Sequence, residues 1–131
     1  MRSMKESRED YLEAILILNR KRPEDVRPVD VANYLELTKP SVTRAMGELE
    51  KEGHVVRNAK GRILLTESGK RIAENVYEKH CVITELFQKC ASVPEKTAEL
   101  DACKVEHVIS DETFRGLKEY LSRNTEKEEN K

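Results

Sequence analysis

The sequence predicts a mainly α-helical chain with one short β-hairpin near its middle. Three observations carry that prediction. Charged residues make up 37% of the 131 residues and aromatics only 5%, with 4 Pro and 5 Gly, a mix that suits helices rather than a β-sandwich. Apolar residues recur at helical spacing through most of the chain. The exception is a pair of β-prone runs, His54-Val55-Val56-Arg57 and Arg62-Ile63-Leu64-Leu65, around the turn-forming Asn58-Ala59-Lys60-Gly61. The length allows one domain or two small ones.

Taken in order, Ser7 to Lys21 reads as a helix with Tyr11, Leu12, Ile15, Leu16 and Leu18 on its apolar face. Ser7-Arg8-Glu9-Asp10 resembles a capping box, so Asp10, taken alone, has a capping role. Glu13 shares its face and, taken alone, is a solvated acid. The Pro-containing Lys21-Arg22-Pro23-Glu24-Asp25 ends this helix. A short helix follows from Pro28 to Leu35, with Val29, Val31, Ala32 and Leu35 as its buried side. After the tight Glu36-Leu37-Thr38 connection, Lys39 to Glu52 forms another helix. Thr38 is its expected N-cap, Val42, Ala45, Met46 and Leu49 are its inward stripe, and Gly53 is a left-handed C-terminal cap.

Thr66 is expected to cap the next helix, which runs to about Lys89 with Ile72, Val76, Val82, Ile83, Leu86 and Phe87 inward and His80 at its middle. Ala91-Ser92-Val93-Pro94 breaks the chain, and a helix starts at Pro94-Glu95. Ser110 caps the last helix, whose stripe is Phe114, Leu117, Tyr120 and Leu121, and Asn124 to Lys131 is a polar tail.

Two short helices joined by a tight turn are a helix-turn-helix, and a basic hairpin directly after it is a wing. Residues 1–70 are therefore read as a winged helix-turn-helix DNA-binding domain, 71–124 as a second, helical domain, and 125–131 as a tail. In a helix-turn-helix the second helix enters the major groove. Thr38, Lys39, Pro40, Ser41, Thr43 and Arg44 lie at its front. Arg44 suits a bidentate contact to guanine; Lys39, Ser41 and Thr43 suit base edges or phosphates equally. Arg57, Lys60 and Arg62 of the wing are expected near phosphate. The formal net charge of −1 gives no global signal for nucleic acid, but six bases stand against three acids between Lys39 and Arg62.

Three cysteines, Cys81, Cys90 and Cys103, with no Cys-x-x-Cys pair and no apolar leader, argue against a disulfide framework and for a reducing cytoplasm. Cys103-Lys104-Val105-Glu106-His107 sets three metal-capable side chains at i, i+3 and i+4, on one face if the segment is helical. That pentapeptide alone reads equally as part of a divalent-metal site or as a polar stripe with a half-buried Cys. The apolar positions from Pro94 to Leu121 exceed what one thin layer can bury, so a homodimer is expected.

The order of winged helix, long helix with a central His, then Cys103-x-x-Glu106-His107-x-x-Ser110-Asp111, together with Glu9-Asp10-Tyr11-Leu12-Glu13 near the start, resembles the diphtheria-toxin-repressor and manganese-transport-regulator family of metal-dependent transcriptional regulators. The resemblance covers Ser7 to Leu121. It implies metal ligands at Asp10, Glu13, His80, Cys103, Glu106 and His107. Asp10 and Glu13 match the manganese-sensing branch and Cys103 the iron-sensing branch. Two further ligand positions of the iron branch are occupied here by Thr84 and Glu99. By the resemblance, residues 71–124 are expected to be the metal-binding and dimerisation domain, and the chain is expected to stop there, as manganese regulators do, without the SH3-like third domain of iron regulators.

The implied function is a repressor that binds double-stranded operator DNA as a homodimer when loaded with Mn²⁺ or Fe²⁺, with Co²⁺ or Zn²⁺ as in-vitro substitutes. Neither a membrane nor a small organic substrate is expected. A metal-independent winged-helix regulator, a protein–protein adaptor and a small metalloenzyme are the alternatives. The last needs an open coordination position and a substrate cleft, and the sequence offers no second catalytic group.

Overall fold

A computed structural model describes the backbone of residues 4–129 and the side chains of residues 7–124. The chain divides into two compact units, Met1–Asn75 and Val76–Lys131. In the first, α1 (Met4–Lys21), α2 (Pro28–Leu35) and α3 (Lys39–Lys51) precede an antiparallel hairpin, β1 (Val55–Arg57) and β2 (Ile63–Leu65), with Val55 opposite Leu65 and Arg57 opposite Ile63. The helix α4 (Glu67–Ala91) starts in this unit and continues into the second, which also holds α5 (Glu95–Val105) and α6 (Asp111–Glu129).

The core of the first unit follows from periodicity. Val42, Met46 and Leu49 recur at i, i+4 and i+7 along α3 and are buried, as are Leu12 and Ile15 of α1 and Val31 and Ala32 of α2. Val29, Leu35 and Ala45, expected in the same core, are only half-buried. Val55 and Ile63 bury the inner face of the wing, and the Ile63 N–H donates to the Val26 carbonyl at 2.8 Å, which ties the α1–α2 connection to the hairpin. Burying side chains of this size contributes about 1.5–3 kcal/mol each.

The helix ends depart from expectation in instructive ways. α1 begins at Met4, so Ser7 to Asp10 lie inside it and form no capping box. Thr38 stands at the N-cap of α3 with extended backbone, but its hydroxyl donates to Ser41 Oγ rather than accepting from the helix. The helix-turn-helix corner is made by Glu36, whose φ of 56° is left-handed and whose N–H, like that of Leu37, reaches the Ala32 carbonyl. At α2 the Asp30 carboxylate accepts from the Arg27 N–H at 2.9 Å and meets the Arg22 guanidinium at 3.1 Å. Burial pushes the Asp30 carboxyl up, but the Arg27 backbone bond and the Arg22 guanidinium outweigh it and leave the group below the usual value of 3.8.

Thr66 caps α4 as expected, accepting from the Gly69 N–H. α6 runs to Glu129, into the segment read as a tail, because Glu126, Lys127, Glu128 and Glu129 are strong helix formers with no Gly or Pro among them. The last two residues of that segment lie outside the described residues. The second unit is built on Val76, Ile83, Leu86, Ala98, Ala102, Phe114 and Leu121. Lys79, 8% exposed, places its ammonium 3.2 Å from Asp111 and 6.0 Å from the Phe114 ring centroid.

A Cβ on Gly69 would stand 2.0 Å from the His54 carbonyl oxygen, which is backbone and has no room to give. Gly69→Ala should therefore destabilise the protein by about 1–3 kcal/mol, as overpacking does. A lowered urea midpoint at unchanged slope is the expected result.

Candidate metal centre and nucleic-acid interface

The second unit gathers the metal-capable residues. His80 comes from the middle of α4 and Cys103 from the last turn of α5. Glu106 caps α5 with right-handed backbone, φ −58° and ψ −25°, and its N–H still reaches the Ala102 carbonyl. The helix therefore stops at Val105, one residue before the acid, and His107 stands in the turn that follows. The one-face spacing read from the sequence holds for Cys103 and Glu106, because the cap residue keeps helical geometry.

His80 Nδ1 lies 3.0 Å from Glu106 Oε2 and 3.7 Å from Cys103 Sγ. Donor atoms of His80, Cys103 and Glu106 all lie within 4.8 Å of one another. Glu106 is 1% exposed, and among the described residues its second oxygen, Oε1, accepts no hydrogen bond, with His107 Nε2 3.5 Å away. A buried carboxylate oxygen of this kind calls for a positive partner. The donor set of imidazole, thiol and carboxylate, with a second imidazole adjoining, fits a divalent first-row metal. Thr84, at one of the departures from the iron-branch pattern, donates its hydroxyl to the His80 carbonyl at 2.7 Å and so braces the turn of α4 that carries the imidazole. Glu99, the other departure, is exposed.

Asp10 and Glu13 are half-buried on α1 in the first unit. On that unit Thr38, Lys39, Pro40, Ser41, Thr43 and Arg44 are all exposed at the front of α3, and Arg57 and Lys60 are exposed on the wing, while Arg62 is half-buried. Two wing cations are already paired: Arg57 Nε donates to Glu50 Oε1 at 2.6 Å, and Arg62 Nε to Asp25 Oδ1 at 2.9 Å. Glu50, one of the three acids between Lys39 and Arg62, and Asp25 carry no sequence signal for these pairings. Arg57 ends the strand that follows α3, and the left-handed Gly53 between them turns that strand back along the helix's last turn, where Glu50 sits.

The winged helix followed by a helical unit with a His–Cys–Glu cluster defines a metal-dependent transcriptional regulator. Residues 3–62 match the iron dependent repressor N-terminal DNA binding domain, and residues 66–131 match the iron dependent repressor metal binding and dimerisation domain. The chain belongs to this iron-dependent repressor family. It is 32% identical over 120 residues to an uncharacterised helix-turn-helix transcriptional regulator of Methanocaldococcus jannaschii, covering 92% of this chain and 96% of that one. It is 29% identical over 123 residues to the diphtheria toxin repressor of Corynebacterium diphtheriae, covering 92% of this chain but 53% of the relative, so it spans about half that protein's length. Among solved structures, IdeR of T. acidophilum is similar with a TM-score of 0.80 at 25% identity, over 93% of this chain and 56% of that one. The manganese regulator SloR is similar with a TM-score of 0.79 at 25% identity, over 88% and 53%. No described helix is long and apolar enough to cross a membrane.

Cys103 beside the ring, and then the Glu106 carboxylate, push the His80 imidazole up from 6.5 to about 11. The folded value lies above the unfolded one. The stabilisation from this proton is thus complete below pH 6.5 and is lost as pH rises toward about 11. Urea midpoints of the metal-free protein across that window should fall with rising pH, and His80→Asn should remove much of the fall. Metal at the same donor atoms must displace the proton. Mn²⁺ uptake should release protons, measured by calorimetry in buffers of different ionisation enthalpy, and should strengthen as pH rises.

Proposed function

We propose that the chain is a homodimeric repressor, active in the cytoplasm, that binds operator DNA when loaded with Mn²⁺ or Fe²⁺. The observation that carries this reading is the convergence of His80 and Cys103 on the buried Glu106 carboxylate, whose Oε1 has no hydrogen bond among the described residues, in a chain whose first unit is a winged helix. The proposed ligands are His80, Cys103, Glu106 and His107 from the second unit with Asp10 and Glu13 from α1. Asp10 and Glu13 are included on the family resemblance. A bound divalent ion supplies positive charge and a fixed coordination geometry. Within the second unit, His80 gives up its proton, Cys103 offers the soft donor that shifts preference toward Fe²⁺ or Co²⁺, and Glu106 supplies the hard buried anion. Metal promotes repression only as far as its contacts favour the DNA-binding state over the other.

Dimerisation is supported by Leu100, Val108 and Tyr120, which remain 60%, 72% and 48% exposed in the single chain. The regulator reading is preferred to an enzyme because the cluster is accompanied by a helix-turn-helix and a wing. The direct test is selection from a genomic fragment pool by the anaerobic protein with and without Mn²⁺ and Fe²⁺. The reading requires enrichment of discrete sites with metal and loss of enrichment with chelator. Equal enrichment with and without metal would instead favour a metal-independent regulator. Sedimentation of the chelated protein at micromolar concentration should give a dimer.

On a site so obtained, Arg44→Ala should cost about 1–3 kcal/mol at one base position and relax discrimination there. Cys103→Glu should raise the response to Mn²⁺ relative to Fe²⁺ or Co²⁺. The Co²⁺-loaded protein should show a thiolate charge-transfer band in the near ultraviolet that Cys103→Ser abolishes. If the band is missing and Cys103→Ser keeps full metal dependence, Cys103 is no ligand.

A further inference from the structure

We propose that Glu50 and Asp25 are positioning residues for DNA binding, each holding one edge of a wing arginine so that its other edge faces a backbone phosphate. The proposal rests on the DNA-binding reading above. A guanidinium is planar and carries its donors on distinct edges, so a carboxylate on Nε leaves the terminal nitrogens for a second anion. Glu50 Oε1 takes the Nε of Arg57 at 2.6 Å, and among the described residues the two Nη atoms of Arg57 have no partner. Asp25 Oδ1 takes the Nε of Arg62 at 2.9 Å, and Nη1 donates to the Lys60 carbonyl at 3.2 Å, which leaves Nη2.

Both acids sit on backbone that is itself fixed. Glu50 lies in the last turn of α3, and the Asp25 N–H donates to the Arg22 carbonyl at 3.2 Å. The wing loop is equally constrained. Asn58 Oδ1 accepts from the N–H groups of Lys60 and Arg62 at 2.9 and 3.0 Å, and Asn58 Nδ2 donates to the Glu24 carbonyl at 3.2 Å. Arginines held in this way lose less rotamer freedom when they meet phosphate.

Plain electrostatics makes the opposite prediction. Acids beside a polyanion repel it, so their removal should tighten binding. The sign of one substitution separates the two accounts. With the metal-loaded full chain and a fluorescent random-sequence duplex, affinity is measured over a series of KCl concentrations. Glu50→Ala should bind roughly three- to tenfold more weakly at low salt, and its salt slope should fall by about one, as for Arg57→Ala. The double variant should be no weaker than Arg57→Ala alone. Glu50→Gln keeps an oxygen that accepts from Nε and should recover much of the loss, which a purely repulsive acid would not require. Asp25→Ala and Asp25→Asn form the parallel test on Arg62, and thermal unfolding checks that each variant is folded.

Glu50→Ala and Asp25→Ala that bind as tightly as the parent, or tighter, with its salt slope, overturn the proposal while leaving the DNA-binding reading intact. A parent protein that binds no duplex with either metal overturns both.

Discussion

Glu106 is a carboxylate almost wholly removed from water, and the second unit is arranged around keeping that charge compensated. Removing an isolated ion from water carries a penalty of several kcal/mol that only a partner of opposite charge offsets. In the metal-free chain the partner is His80, whose ring the Cys103 sulfur and the Glu106 carboxylate together hold protonated. Under the proposed function, a divalent ion at the same atoms would take the place of that proton and keep the buried charge paired.

The first unit meets a different electrostatic problem. A chain with net charge −1 has to approach a polyanion, and two wing arginines are already matched by Glu50 and Asp25. Lys60 is the wing cation for which no acid is seen among the described residues. Long-range attraction to a polyanion is correspondingly weak, so the proposed DNA binding would rely on close fit along the front of α3 and the wing. The wing's attachment at Val26 and Asn58 suits that demand, because a surface that binds by fit gains from being rigid beforehand.

Much of this architecture was legible in the sequence because local signals agreed. Pro28 and Pro40 at helix starts, Val42, Met46 and Leu49 at helical spacing, Gly53 with its φ of 82° and the Gly61 turn all pointed to the elements observed. What escaped was set by tertiary context. Ser7 looks like a cap but lies within α1, and Thr38 occupies the cap position while its hydroxyl turns to Ser41. The end of α5 falls earlier than Ser110, where the sequence places it, since Glu106 and His107 carry no helix-stop signal and the break is a turn around Val105. At the metal site the residue types and spacing of Cys103 and Glu106 were visible, but only the fold brings His80, 23 positions upstream, against them. Glu50 and Asp25 were hidden for the same reason, being 7 and 37 positions from the arginines they hold.

The corner of the helix-turn-helix carries its own history. Glu36 is held left-handed there, a conformation that disfavours a residue with a Cβ by about 1–2 kcal/mol, and its exposed side chain has no packing role to offset this. Sequence drift at this point is therefore lopsided. Gly or Asn enters easily and relieves the backbone, whereas Val, Ile or Thr would oppose the bend that sets α3 apart from α2. Lineages of this chain should vary freely in charge at the corner and hardly at all in branching, a footprint left by torsion angles rather than by any contact with DNA or metal.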